Sequence, residues 1–161
     1  IISKMIGNDI VDLALAKKES DWQRKGYLDK IFTPNEQLLI SASENPEIMV
    51  WNLWSRKEAV YKIYNRQTGI RAYLPLKLEC SQVNDEIGIV TCLGQTYYTQ
   101  TEINNQFIKT VAVLKKSDFD SILVLDNHTE IKKIDGIPFV ASTNKIVSIS
   151  HHGNFKQMVT L

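Results

Sequence analysis

The chain has 161 residues, of which 43% are hydrophobic and 23% charged, which suits one domain with a real core and is too short for two. A formal net charge of +1 argues against a nucleic-acid binder, although it leaves room for a local basic face. The longest apolar runs, such as ILVL at 122–125, are too short to span a membrane. We therefore expect a single domain over residues 1–161 that binds neither nucleic acid nor membrane.

The cysteines and the N-terminus predict a cytoplasmic protein. Cys80 and Cys92 stand in no CxxC pattern and beside no pair of histidines, so neither a zinc site nor a disulfide framework is indicated. We expect both thiols to be reduced. No basic region followed by an apolar stretch marks a signal peptide. Residues 1–4 are expected to be a cloning remnant, with Met5 as the natural start.

The first third of the chain predicts mostly helices. IGNDIVDL (6–13) indicates a short strand that turns into a helix, and a polar, basic stretch follows it through Lys30. FTPNE (32–36) is typical of a helix start, in which Thr33 caps the helix, a proline takes the first position and Glu36 closes a capping box.

A second helix start follows at Asn45-Pro46, and nothing breaks this helix before about Asn65. Its large apolar residues recur at helical spacing: Ile48, Trp51, Trp54 and Tyr61.

The remainder predicts strands. LPLKLECS (74–81) alternates, which places on one predicted face Leu74, Leu76, Leu78 and Cys80. Four more strands follow as EIGIVTCL, YYTQTEI, FIKTVAVL and SILVL, with turns at Asn84-Asp85, Asn104-Asn105 and Asp126-Asn127. KIVSIS and FKQMVTL predict a last hairpin. The predicted fold class is α+β, with a long helix packed on a mostly antiparallel sheet.

Three places could carry chemistry. Asp9, an acid among apolar residues, is either a cap at the strand-to-helix turn or a metal ligand. Glu58 and Lys62 share a helix face at i,i+4 spacing, either as a surface ion pair of little value or as a base and a cation for phosphate. In SISHHG (148–153), the histidines are either turn residues or groups that bind an anion or handle a proton.

In order and wording, these segments resemble the 4′-phosphopantetheinyl transferases of the holo-acyl-carrier-protein synthase kind. IGNDIVDL resembles that family's opening motif, FTPNE its F-T-x-x-E element, and WSRKEAVYK (54–62) its W-x-x-K-E-A-x-x-K helix. TGIRAYLPLKLE (68–79) resembles the segment after this helix, and GIPFVASTNKIVSISHHGNF (136–155) resembles the G-K-P…S-x-S-H stretch. The resemblance implies that family's fold.

The resemblance also implies an activity: Mg²⁺-dependent transfer of the 4′-phosphopantetheine arm of coenzyme A to a carrier-protein serine, with release of 3′,5′-ADP. It makes Asp9 and Glu58 the Mg²⁺ ligands, whereas Asp12 stays outside the ligand set. Glu58, directly or through a metal-bound water, is then the base for the serine hydroxyl, and Lys62 stabilises charge near the scissile phosphate. The implied contacts to coenzyme A are Lys62, Thr68, Gly69, Ser150 and His151.

Two departures from the family pattern matter. Ile137 stands where the family usually has a lysine near the phosphates of coenzyme A, so this cation is absent or comes from Arg66, Arg71 or Lys145. Residues 83–134 are longer than the same region of the small synthases and look like the closing strands of larger, two-lobed relatives. The small synthases are trimers, so a homo-oligomer is expected, with a trimer favoured.

Acidic carrier proteins are the implied partners, and a basic docking face is therefore expected. The segment after Asp9 contains a group of basic residues: Lys17, Lys18, Arg24, Lys25 and Lys30. They form either this docking face or an ordinary solvated helix face. Such carriers serve fatty-acid biosynthesis, polyketide synthesis or peptide synthesis.

Two other functions stay open. A non-catalytic module that binds coenzyme A or a carrier protein would keep the fold, and Ile137 favours it, although the acid pair and Lys62 argue against it. A hydrolase that uses the same metal site is opposed by the combination of the S-x-S-H and K-E-A motifs.

Overall fold

The computed structural model describes residues 4–81, 84 and 86–161. The expected remnant at the N-terminus falls mainly on residues 1–3, and one predicted turn includes Asp85, so these expectations lie outside the described residues. The α-helices are α1 Leu13–Glu19, α2 Tyr27–Ile31, α3 Pro34–Ala42 and α4 Pro46–Thr68. The strands are β1 Ile6–Asp12, β2 Leu78–Ser81, β3 Ile87–Cys92, β4 Gln95–Ile103, β5 Phe107–Val113, β6 Leu123–Leu125, β7 Ile131–Ile134, β8 Ile137–Val140, β9 Val147–His152 and β10 Phe155–Thr160.

The strands form three antiparallel sheets. Five of them follow the order β1-β5-β4-β3-β2, three follow β6-β10-β9, and β7 pairs with β8. The long helix α4 packs on the five-stranded sheet with its most buried apolar residues, Val50, Leu53, Ala59, Val60 and Ile63. The predicted α+β class, with a long helix on a mostly antiparallel sheet, is therefore confirmed. Among the described residues, no helix has the length and apolarity needed to cross a membrane.

Direct contact between β1 and α4 sets the position of the N-terminal motif. A Cβ atom on Gly7 would lie 2.0 Å from the carbonyl oxygen of Ala59, so only glycine allows the strand to approach the helix this closely. Side chains alternate along a strand, and Asp9 and Val11 therefore share the face of β1 that meets α4.

The predicted capping box at the start of α3 is confirmed. The Thr33 hydroxyl accepts the N–H of Glu36, and the Glu36 carboxylate accepts the N–H of Thr33. Glu36 also accepts the N–H of Cys80 at 2.9 Å and pairs with Lys57, and both charged side chains are fully buried. This one carboxylate thus ties α3 to α4 and β2.

The prediction of a strand over the whole of LPLKLECS is wrong in its first half. Pro75–Lys77 form a 3-10 turn, in which Leu76 is 50% exposed, whereas Leu78 begins β2 and is buried. Proline lacks the N–H that a sheet ladder needs, so the strand starts only after it.

The sequence prediction misses the hairpin of β7 and β8. Asp135 and Gly136 form its two-residue loop, and both have positive φ, at 53° and 80°. Asp-Gly is typical of this primed turn, which fixes the register of the two strands.

Glu36→Gln is expected to lower the free energy of unfolding by about 3–5 kcal/mol, because it leaves the Lys57 ammonium buried without a counter-charge. Urea denaturation measures this effect. The exposed Glu44 offers a matched control, and Glu44→Gln should change the stability by less than about 0.5 kcal/mol. Equal effects of the two substitutions would contradict the assigned role of Glu36.

Candidate active site

Asp9 and Glu58, which lie far apart in the sequence, line the same cavity of about 430 Å³. We call it the acidic cavity, and its polar lining residues are Asp9, Glu19, Ser20, Glu58, Ser150, His151 and His152. Tyr27, Trp51 and Trp54 contribute its aromatic wall. The close contact of β1 with α4 brings the two acids together, because Glu58 precedes the Ala59 on which Gly7 rests.

Asp9 has an incompletely satisfied carboxylate. Its Oδ2 atom is buried, and no group in the described part of the chain hydrogen-bonds to it. Burial raises the pKa of Asp9 to about 7, which nearby Lys62 opposes and nearby Glu58 reinforces. Burial also raises the pKa of Glu58, and Lys62 again opposes this shift. Two carboxyl groups therefore share a site in which ionisation is costly without a further cation.

The capping role that was one interpretation of Asp9 belongs to Asp12. Asp12 Oδ1 accepts the N–H of Leu15 at 3.3 Å at the start of α1, and Oδ2 accepts the N–H of Asn154 at 3.0 Å. The hydrogen bond from Asn154 is the main cause that lowers the pKa of Asp12. With both oxygens engaged in this way, Asp12 is not among the residues that line the acidic cavity.

Lys62 is not one half of a surface ion pair. Its ammonium donates to the carbonyl oxygens of Asn8 at 2.6 Å and Ile149 at 3.0 Å, and so joins β1 to β9. Burial lowers the pKa of Lys62, while Asp9 and Glu58 act in the opposite direction. No salt bridge joins Lys62 to Glu58 within the described residues.

A second cavity, of about 630 Å³, has a different charge, and we call it the basic cavity. Its charged lining residues are Lys62, Arg66, Arg71, Lys133 and the single acid Asp135. The Arg66 guanidinium donates to the carbonyl oxygen of Ile6 at 3.1 Å. Ile137 lines this cavity, and Lys145, one of the three residues considered for the missing cation, does not.

The residues expected to contact coenzyme A lie in different places. Ser150 and His151 line the acidic cavity, but the Ser150 hydroxyl accepts the N–H of Ile10 at 3.0 Å, whereas the side chain of His151 is exposed. Thr68 and Gly69 lie exposed at the C-terminal end of α4 and line neither cavity.

The sequence prediction also misses side chains at the site. The Tyr73 ring packs edge-on against Trp54 and Tyr61, at centroid distances of 5.8 Å and 4.9 Å, and these two residues flank Glu58 on α4. Its buried hydroxyl has no partner in the described part of the chain, and burial and the charge of Glu58 raise its pKa. Glu19 and Lys133 also line cavities without belonging to any motif, so no sequence signal identifies them.

Comparison with known families identifies the fold. The model of the 4′-phosphopantetheinyl transferase superfamily matches residues 5–113, which run from before β1 to the end of β5 and include Asp9, Glu58 and Lys62. A comparison with curated proteins finds no match. Since the family match covers more than half of the chain and agrees with the α+β architecture, the chain belongs to the 4′-phosphopantetheinyl transferase superfamily.

Proposed function

We propose that this chain, as a single domain, transfers the 4′-phosphopantetheine arm of coenzyme A to a serine hydroxyl of an acyl or peptidyl carrier protein and releases 3′,5′-ADP, as holo-acyl-carrier-protein synthases do. Its family uses coenzyme A as a substrate and acts on carrier proteins. One observation carries the proposal: the buried Oδ2 of Asp9 has no partner among the described residues and belongs to a side chain in the cavity that Glu58 also lines.

The donor set fits Mg²⁺. Asp9 and Glu58 would hold the ion, which prefers oxygen ligands and is commonly bound by one or two carboxylates plus substrate phosphates. When bound, the ion supplies positive charge against the pyrophosphate oxygens of the substrate.

The remaining chemistry falls to the side chains. Glu58 takes the proton of the serine hydroxyl while the serine oxygen attacks the phosphorus that bears the pantetheine arm. The bond between this phosphorus and the bridging oxygen then breaks, and 3′,5′-ADP leaves with that oxygen. An ammonium has three donors. Because Lys62 uses two on Asn8 and Ile149, one donor stays available for a phosphate oxygen.

The basic cavity weakens the case for a non-catalytic binding module. That alternative rests on Ile137, but Arg66 and Arg71 line the same cavity and can supply positive charge there. His151 offers an exposed ring at the acidic cavity for a further phosphate contact, while Ser150 supports β1. Contacts from Thr68 and Gly69 to coenzyme A stay a prediction.

The carrier protein would dock beside the acidic cavity. The docking side chains Lys17, Lys18, Arg24, Lys25 and Lys30 are all exposed. They belong to α1, α2 and the turn between them, and the same segment contributes Glu19 and Tyr27 to the cavity wall. A homo-oligomer, with a trimer favoured, stays a prediction that sedimentation equilibrium can test.

Mg²⁺ is expected to raise the melting temperature of the coenzyme A complex by about 5 °C at saturation, and Asp9→Asn should lose this rise. Without a cation, Asp9→Asn should be at least as stable as the wild type, because it removes a buried carboxylate that has no full set of partners. Asp12→Asn is the control and should keep the rise. An unchanged effect of Mg²⁺ on Asp9→Asn would contradict the ligand assignment.

Glu58→Gln is expected to lower kcat by about 10²–10⁴-fold while leaving the circular dichroism spectrum unchanged, because the amide cannot accept the serine proton. Intact-mass spectrometry of an apo carrier protein incubated with coenzyme A and Mg²⁺ measures the transfer. Glu47→Gln, in the first turn of the same helix, should behave as the wild type. If the wild type modifies no carrier from its own source, the binding module becomes the better proposal.

Charge reversal at the docking face, in Arg24→Glu combined with Lys25→Glu, is expected to raise KM for the carrier protein about tenfold or more and to leave KM for coenzyme A nearly unchanged. The physical reason is repulsion of an acidic partner. The exposed pair Lys115 and Lys116 provides the matched control. Equal changes in both KM values would reject the docking face.

A further inference from the structure

We propose that Lys133 binds the 3′-phosphate of coenzyme A and supplies, from the neighbouring strand, the cation that Ile137 does not provide. This inference rests on the proposed function. It concerns a residue outside the family motifs and outside residues 5–113, and it starts from the geometry of the hairpin of β7 and β8.

The register of this hairpin directs Lys133 to the basic cavity. Lys133 pairs with Pro138, and the neighbouring Lys132 pairs with Phe139. Directly paired residues share a face of a sheet, and successive residues point to opposite faces. Lys133 and Pro138 both line the basic cavity, whereas neither Lys132 nor Phe139 does; Ile137 lines it at the turn end of the hairpin, beside the loop.

The Asp135-Gly136 loop makes this register dependable. A two-residue loop with positive φ at both positions closes the hairpin, and its length and turn type fix the register of β7 against β8. Lys133 is thereby held at the cavity that Ile137 also lines, so its ammonium can supply positive charge to that cavity.

The charges around Lys133 suit a phosphate dianion. Arg66, Arg71 and Lys62 line the same cavity, and Asp135 at the turn is the one opposing charge there. Arg66 donates one N–H to the carbonyl oxygen of Ile6, and its other N–H groups can donate to a ligand. A phosphate monoester carries close to two negative charges at neutral pH, which several clustered cations can neutralise.

The relation between the two cavities indicates which phosphate binds here. Lys62 lies between them, because it lines the basic cavity, its ammonium donates to the carbonyl oxygen of Asn8 next to Asp9, and it follows Glu58 by about one turn of α4. The reacting pyrophosphate must reach the acid pair. The phosphate left for the basic cavity is therefore the one on the ribose, which takes no part in bond cleavage.

The test compares coenzyme A with dephospho-coenzyme A, which lacks only the 3′-phosphate. Lys133→Ala is expected to raise KM for coenzyme A about tenfold with little change in kcat, and to leave KM for dephospho-coenzyme A as in the wild type. Lys132→Ala, the matched control on the opposite face, should equal the wild type with both substrates. An equal loss with both substrates, or no loss with coenzyme A, would overturn the proposal.

Calorimetric titration with 3′,5′-ADP and with 5′-AMP separates this inference from the proposed function. If the wild type transfers the arm but binds 3′,5′-ADP no better than Lys133→Ala does, the role of Lys133 is wrong and the transferase stands. If no transfer occurs while Lys133→Ala weakens binding of 3′,5′-ADP alone, the phosphate site stands and the transferase is wrong.

Discussion

The site depends on the outer edge of β1, which pairs with no other strand of the five-stranded sheet. On this edge, side chains of β9 replace the backbone ladder: at 2.8–3.0 Å, N–H groups of Asn8, Ile10 and Asp12 donate to Ser148 Oγ, Ser150 Oγ and His152 Nδ1. An unpaired edge would leave these donors unsatisfied or open to another chain. The alternate residues of β9 thus join the three-stranded sheet to the five-stranded sheet, and the acidic cavity forms where they meet.

Lys62 completes this junction at a cost. A buried ammonium loses its hydration, and two carbonyl oxygens and two nearby carboxylates compensate for that loss. The Oδ2 atom of Asp9 stays without a partner in the described residues, and an unsatisfied buried group costs about 1–3 kcal/mol. Proteins keep such local violations mainly where function requires them. On the proposed function, the same reasoning explains why Glu58 and Lys62 lie on a helix whose other buried residues serve packing.

Local signals in the sequence were enough for the elements that hold the site. Thr33 and Glu36 predict the start of α3, the periodic apolar residues predict α4, and the alternation of apolar and polar residues predicts most strands. The signal fails where two local rules compete, as at Pro75, where apolar alternation favours a strand and the missing N–H prevents it. The Asp135-Gly136 turn was readable in principle, because its residue types fit a hairpin loop.

The site also has one part that local sequence signals predict and another part that they do not. Motif resemblance names Asp9, Glu58 and Lys62, but the carbonyl partners of Lys62 and the hydrogen bond from Asn154 to Asp12 depend on contacts between distant segments. Lys133 has no motif, and its position follows only from strand register and from the cavity that the hairpin and α4 line together. Such long-range pairings are decided by the whole fold rather than by neighbouring residues, so no window of the sequence contains them.

The two cavities would then divide the use of binding energy. On the proposed function, the ribose phosphate keeps the same charge throughout the reaction, so contacts in the basic cavity stabilise substrate and transition state alike and act on KM. Charge changes only at the pyrophosphate, where Glu58 and the remaining donor of Lys62 can bind the transition state more strongly than the substrate and act on kcat. Lys62 stands at the boundary, fixed by Asn8 and Ile149, so its position relative to both groups of the substrate is set by the junction of the sheets. Rigidity at that junction, more than the number of cations nearby, therefore determines how well binding at one cavity aligns the reacting atoms in the other.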